Sequence, residues 1–197
     1  SGAEGGTGAS PVSSMRFAGI SPEIGLAEAQ QTLVLNGLRD QVRLQTDGQL
    51  KTARDVIIMA MLGADEFSFG TLPLIVLGCL MMRKCNTNTC PVGVATQDET
   101  LRAKFRGRAE YVVNFFTFLA QQTREYLSEL GVRHLKDIIG RTDMIEVIPQ
   151  DKSSKLGTID FSRLLHRPDT DKALHWDRSE FTKVSGVKDE DIISACE

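Results

Sequence analysis

Three closely spaced cysteines near the middle of the chain are the side chains best suited to chemistry. Cys79, Cys85 and Cys90 are separated by five and then four residues, and Pro91 follows the last of them. Thiolates bind soft metals and iron–sulfur clusters, and a Cys-Pro pair ends the cluster-binding runs of bacterial ferredoxins. The spacing therefore predicts a metal site in the loop 79–90.

The number of cysteines limits what this loop could hold. A four-iron cluster and a structural zinc ion both normally take four ligands, and three cysteines alone suit a three-iron cluster best. On spacing alone, an iron–sulfur cluster, a zinc ion with a distant fourth ligand and thiols without a metal are comparable alternatives. The fourth cysteine, Cys196, lies near the end of a loose tail, and we expect that it is not a ligand.

The composition is that of a globular protein, and it predicts neither a nucleic-acid nor a membrane partner. Of 197 residues, 41% are hydrophobic and 25% are charged, and the net charge of −3 offers no basic surface for nucleic acid. The longest apolar run, 72–82, is too short to cross a bilayer. Four cysteines in such a chain do not indicate a secreted disulfide framework, so we expect a reducing, cytoplasmic location.

The elements that must position the cysteines alternate between helix and strand. Helices are predicted over 22–36, over 53–63 and from about 72, and short strands over 42–46 and 64–69. Strands and helices alternating at this spacing are typical of βαβ units and a parallel sheet, which is an α/β fold. A long helix is predicted over 107–131, and we expect 150–197 to be a poorly packed linker with short elements.

A glycine-containing turn that opens a helix follows each predicted strand. The turns are Asp47-Gly48 and Gly70-Thr71. Backbone N–H groups at a helix N-terminus suit a phosphate, and parallel sheets bind their ligands at the edge where the strands end. Either turn alone is explained by turn chemistry. The pair makes a phosphate-bearing ligand about as good an explanation as structural turns.

Several segments resemble the glutamate synthase family, in its large subunit, and they occur in the order that the family has them. They are EGGTGASP at 4–11, TDGQLKT at 46–52, GADEF at 63–67, CNTNTCPVGVATQ at 85–97, VNFF at 113–116 and IGRTD at 139–143. For 1–148 the resemblance implies the C-terminal half of an FMN-binding (β/α)₈ TIM barrel, including the iron–sulfur loop, with additional C-terminal helices. It implies that 149–197 is a linker toward a missing C-terminal domain.

The resemblance also implies an activity and its cofactors. The family makes L-glutamate from 2-oxoglutarate and ammonia released from glutamine, with electrons relayed from a 3Fe–4S cluster to FMN. Cys79, Cys85 and Cys90 match the three cluster ligands. The positions implied to contact the flavin are Gly5, Gly6, Thr7, Gly8, Asp47, Gly48, Gly63, Phe69, Gly70 and Thr71. No catalytic residue is assigned.

Partners are implied by the same resemblance. They are the amidotransferase domain, the rest of the barrel, the C-terminal β-helix and 2-oxoglutarate, with an NAD(P)H-oxidising small subunit as a further candidate. If the chain comes from a photosynthetic eukaryote, the resemblance implies a location in the plastid. The chain begins without Met inside a glycine-rich loop, so we expect an incomplete fragment that is inactive alone. The alternative from another class is a non-catalytic module that binds zinc or is purely structural.

Overall fold

The two predicted strands lie side by side in the computed structural model, which describes residues 12–177. Strand β1 (Gln45–Thr46) pairs in parallel with β2 (Glu66–Phe67). The parallel pair and its crossover helix are compatible with a partial α/β domain, and most of the described elements are helical. Both strands are shorter than predicted. At their N-terminal ends, Leu44 N donates to the Asp65 carboxylate (2.7 Å) where the ladder would otherwise continue.

The described residues also form six α-helices. They are α1 (Val12–Phe17), α2 (Pro22–Leu35), α3 (Ala53–Leu62), α4 (Thr71–Val76), α5 (Glu99–Arg102) and α6 (Ala109–Glu129). Short 3₁₀ turns occur at Arg39–Gln41, Cys85–Thr87, Leu135–Ile138, Thr142–Met144 and Leu156–Thr158. No helix among residues 12–177 is both long and apolar enough to cross a membrane.

Helix α3 is the centre of the core. Seven of its ten residues are buried, and it separates two apolar clusters. On one side Met59 and Leu62 pack against Leu26 of α2. On the other side Ile57 and Met61 belong to a cluster that reaches α6 and the turn 135–138. A helix buried on opposite faces reads as apolar almost all round, which is the pattern of its sequence.

The segment 161–177 packs against this core, so the expectation of a poorly packed tail is wrong for these residues. Leu164 and Leu165 contact the cluster on the α2 side. Gln30 Nε2 of α2 donates to the carbonyl of Leu174 (2.8 Å), and the guanidinium carbon of Arg43 lies 3.9 Å from the centre of the Trp176 ring. Much of this packing comes from single polar and aromatic contacts. Such contacts produce no hydrophobic periodicity, so the sequence pattern did not predict them.

Candidate functional site

Cys79 is positioned by the end of helix α4. Gly78 has φ +91° and its N–H donates to Ile75 O (2.9 Å), while Cys79 N donates to Leu74 O (2.9 Å). These two bonds form a Schellman motif, in which a residue with positive φ reverses the chain after the helix. The motif fixes the backbone of the first cysteine to a rigid element.

The other two cysteines lie at the ends of a short turn. Cys85 begins the 3₁₀ turn 85–87, Asn88 comes next with φ +59°, and Cys90 lies two residues later. Cys79 and Cys85 are half-buried, whereas Cys90 is only 8% exposed. All three thiols are free, so a disulfide does not consume them.

The three cysteines line one cavity of about 120 Å³. The rest of its wall is mainly apolar and includes Leu74, Val92 and Val94, and the cations Arg83 and Lys84 line it as well. Apolar and charged neighbours of the sulfurs are among the means by which proteins tune the potential of iron–sulfur centres. The sequence prediction of a common site for Cys79, Cys85 and Cys90 therefore has a matching cavity.

Backbone groups stabilise the thiolate form of Cys90. The N–H of Ala95 makes the largest contribution, and those of Val92, Val94 and Gly93 add to it. Together they lower the pKa of the Cys90 thiol below its usual value, although burial acts in the opposite direction. Because thiolates are the ligands of metals and clusters, these amides prepare Cys90 for that role.

Among residues 12–177, no three His, Cys, Asp or Glu side chains are placed to bind one metal ion together. Cys79, Cys85 and Cys90 line one cavity without converging on a single point.

The loops after the two strands meet at one edge of the sheet, as predicted. Because β1 and β2 are parallel neighbours and Ser68 N donates to Thr46 O (2.8 Å), the turns at 47–48 and 70–71 lie along the same edge. The two turns differ in their distance from the next helix. Gly48 (φ +112°) does not open a helix directly, since α3 begins only at Ala53.

The N-terminus of α3 is already occupied by its own side chains. Thr52 accepts from Asp55 N (3.2 Å), and the Asp55 carboxylate accepts from Lys51 N and Thr52 N (2.9 Å each). This capping box puts a negative charge where a phosphate would bind. At α4, by contrast, Gly70 precedes the helix without a side-chain cap, and a Cβ added there would meet no atom of the described residues within 4 Å.

Of the remaining predicted flavin positions within the described residues, Gly63 lies away from this edge and Phe69 lies beside Gly70. Gly63 ends α3 at φ +121° and precedes β2, so it lies at the opposite end of the strands, and a Cβ there would lie 2.6 Å from Gln30. Phe69 packs edge-on against Phe116 of α6, with ring centroids 5.2 Å apart. Gly5, Gly6, Thr7 and Gly8, and likewise Cys196, lie outside the described residues.

The comparison with known proteins identifies the family. A family model described as a conserved region in glutamate synthase matches residues 1–133. The chain belongs to the glutamate synthase family. The family resemblance predicted from the motifs is thereby confirmed.

Several glutamate synthases are similar over most of the chain. The chain is 52% identical over 170 residues to the NADPH glutamate synthase large chain of Bacillus subtilis, which covers 86% of the chain and 11% of the relative. It is 58% identical over 148 residues to that of Azospirillum brasilense (75% and 10%). It is 47% identical over 195 residues to ferredoxin-dependent glutamate synthase 2 of Synechocystis (98% and 12%). The chain thus spans about a tenth of the length of these relatives.

Asn88, between Cys85 and Cys90, was not predicted from the sequence to have a role in this glutamate synthase loop. Asn88 has left-handed backbone geometry, and its side chain holds the loop together by accepting hydrogen bonds from Thr96 and Gln97. The available signal was its type, because Asn is the residue after Gly that most readily adopts positive φ in a short turn.

Proposed function

We propose that this chain is the part of a glutamate synthase that binds a 3Fe–4S cluster and one side of FMN. The observation that carries the proposal is the cavity shared by Cys79, Cys85 and Cys90, the cysteines that match the ligands of the family. Three free thiols, an apolar wall and backbone N–H groups facing the Cys90 sulfur suit the sulfur ligation of a cluster.

The flavin part of the proposal rests on the edge where the strands end. Asp47, Gly48, Gly70 and Thr71 come after adjacent parallel strands, which is where α/β sheets and (β/α)₈ barrels bind phosphate groups. The start of α4 is the better place for the FMN phosphate, because Gly70 leaves its backbone open. The Asp55 carboxylate at the start of α3 would repel a phosphate.

The fold proposed for the complete protein is a (β/α)₈ barrel, to which residues 1–148 contribute the C-terminal half. Two adjacent parallel strands joined through α3 are a βαβ unit, the repeating element of such a barrel. Residues 149–197 would lead toward a C-terminal domain. An amidotransferase domain, the other half of the barrel, a β-helix and an NAD(P)H-oxidising subunit are the proposed partners.

The chemistry proposed for the complete protein is that of the family. When bound, the cluster and FMN would supply the two electrons needed to convert 2-oxoglutarate and ammonia into L-glutamate. The residues of this chain would hold the two groups near each other and keep water from the cluster.

Metal analysis of the protein as encoded tests the proposal. After anaerobic purification we expect a brown protein with about three irons and about four acid-labile sulfides per chain. A colourless protein with stoichiometric zinc would contradict the cluster and support a structural metal site.

A further inference from the structure

We infer that Asn88 is a positioning residue of the cysteine loop, because its side chain fastens this loop to residues 96–97 and so fixes Cys90 for the cluster. The inference rests on the proposed cluster site and adds to it a residue that is not a thiol ligand.

The backbone of Asn88 turns the chain between Cys85 and Cys90. Its φ of +59° and ψ of +21° are left-handed and end the 3₁₀ turn 85–87. Most side chains are disfavoured in this conformation, whereas Asn and Asp tolerate it. The residue type is therefore restricted by the turn as well as by the side-chain contacts.

The side chain of Asn88 closes the following segment into a loop. Asn88 Oδ1 accepts from Gln97 N (2.7 Å) and from Thr96 Oγ1 (2.9 Å). The same hydroxyl lies 2.9 Å from Asn88 O, so it is shared between two acceptors of one residue. Cys90 lies inside the loop that these bonds close.

The closed loop is anchored on helix α5. Thr96 Oγ1 accepts from Asp98 N (3.1 Å), and Asp98 Oδ1 caps the helix by accepting from Leu101 N (2.9 Å). Gly93, at φ +77°, packs so closely on α5 that a Cβ would lie 2.5 Å from Leu101 O. Its N–H also donates to Cys90 O (3.2 Å). The bonds of Asn88 join the two ends of the loop 88–97, and the close contact at Gly93 holds the middle of this loop against α5.

A site with three ligands depends strongly on such support. All three thiolates must be correctly positioned at the same time, because the described lining of the cavity offers no additional cysteine. Hydrogen bonds that orient metal ligands are commonly worth about 10–100-fold in metal affinity. The bonds of Asn88 are solvent-exposed, so we expect the lower end of this range.

The test compares iron retention in variants of the protein as encoded. Asn88→Ala should release iron to a chelator about tenfold faster than wild type, because it loses the side-chain acceptor and strains the turn. Asn88→Asp should resemble wild type, because a carboxylate oxygen accepts the same bonds and Asp tolerates left-handed geometry. Asn86→Ala, at an exposed asparagine of the same turn, is the matched control and should also resemble wild type.

Hydrogen exchange at the Gln97 amide tests the hydrogen bond from Gln97 N to Asn88 Oδ1 directly. In the metal-free protein, the amide of Gln97 should exchange with solvent faster in Asn88→Ala and remain protected in Asn88→Asp. If Asn88→Ala does not fold, Thr96→Val removes the shared hydroxyl without altering residue 88. We then expect iron release several-fold faster than in wild type.

The outcomes separate this inference from the proposed function. If the wild-type protein holds the cluster and Asn88→Ala releases iron at the wild-type rate, the inference about Asn88 is wrong and the proposed cluster site stands. The same holds for Thr96→Val where Asn88→Ala does not fold. Asn88→Asp that releases iron as fast as Asn88→Ala would also overturn the inference alone. Wild-type protein without iron would overturn the inference together with the proposed cluster.

Discussion

The Nη2 atom of Arg39 lies 2.6 Å from Oδ2 of Asp65, and the two side chains are only 1% and 10% exposed. Arg39 also donates to the carbonyls of Val42 (2.6 Å) and Gly63 (2.9 Å), and the Asp65 carboxylate accepts from Leu44 N (2.7 Å). One buried ion pair thus joins the segments that lead into both strands. The sheet that carries the proposed flavin loops depends on it.

Removing Arg39 should therefore strongly destabilise the fold. Arg39→Met leaves the Asp65 carboxylate without its positively charged partner and the Gly63 carbonyl without its side-chain donor, and breaking a buried pair from one side costs about 3–5 kcal/mol. Denaturant unfolding measures the change in the free energy of unfolding. Arg124→Met, at an exposed position of α6, should change it by less than about 0.5 kcal/mol. Equal stability of the two variants would mean that the pair does not support the sheet.

Cys85→Ser should abolish the cluster. A serine hydroxyl is a poor ligand for iron compared with a thiolate, and the cavity has no further cysteine among its described lining residues. Iron per chain, measured after anaerobic purification, should fall from about three to near zero. Cys196→Ser is the control and should keep the wild-type iron content. Full iron content in Cys85→Ser would rule out this ligand assignment.

In the complete enzyme, Gly70→Val should weaken FMN binding without unfolding the protein. Gly70 has φ −100°, which valine adopts, and its Cβ position is open among the described residues. A branched side chain there would occupy the space in front of the start of α4, where we propose the phosphate. We expect an FMN dissociation constant at least about tenfold higher, as for one or more lost charge-assisted hydrogen bonds.

The thermal midpoint of Gly70→Val provides the internal control for this measurement. A midpoint close to that of wild type shows that the loss of flavin is local. An unchanged affinity for FMN would mean that the phosphate binds elsewhere.

The pair formed by Arg141 and Asp143 predicts a small loss of stability in acid. Hydrogen bonds from Arg141 (2.7 and 2.8 Å), aided by the charges of Arg141 and Arg167, hold the pKa of Asp143 below its ordinary value of 3.8. Because the pKa of Asp143 is lower in the folded state than in the unfolded chain, its ionised form stabilises the fold at pH values above the ordinary pKa. This stabilisation is lost as the pH falls through the lower pKa of the folded state.

Asp143→Asn should accordingly cost about 0.5 kcal/mol at pH 7, because both partners are more than a third exposed. Below about pH 4 the variant should lose less stability than wild type. Urea unfolding at pH 7 and at about pH 3 measures the difference, and Asp169→Asn controls for a loss of surface charge. The same pH dependence in wild type and Asp143→Asn would contradict the assignment.

Trp176 should contribute measurably to the docking of the tail. Its ring stacks on the guanidinium of Arg43, which also pairs with Glu66 of β2 (2.6 Å), and its backbone N–H donates to the Asp65 carboxylate (3.1 Å). Trp176→Leu removes the stacking, which we expect to cost about 0.5–2 kcal/mol of the free energy of unfolding. The backbone bond remains in this variant.

Amide hydrogen exchange in the segment 164–177 measures how firmly this segment packs against the core. Exchange in this segment should become faster in Trp176→Leu, while the amides of α3 stay as protected as in wild type. Unchanged exchange throughout 164–177 would show that the segment is held without this contact.

The amino-acid sequence was sufficient for the parts of this protein that depend on local chemistry. Ser21-Pro22 placed the start of α2, Gly63 placed the end of α3, and the alternation of strand and helix predicted the parallel pair. The spacing of Cys79, Cys85 and Cys90 and the surrounding motifs indicated the family. Capping, turn geometry and motif spacing act over a few residues, so they are visible in one chain.

Features that join distant residues became visible only in the folded chain. Arg39 and Asp65 carry no pattern that predicts a buried pair, and nothing local to Trp176 indicates that it stacks on Arg43. At the start of the strands, the Asp65 carboxylate accepts the hydrogen bond of Leu44 N in place of a backbone partner in the ladder. Such contacts depend on where the whole chain brings two groups together, because burial strengthens a polar contact only after packing has removed the water around it.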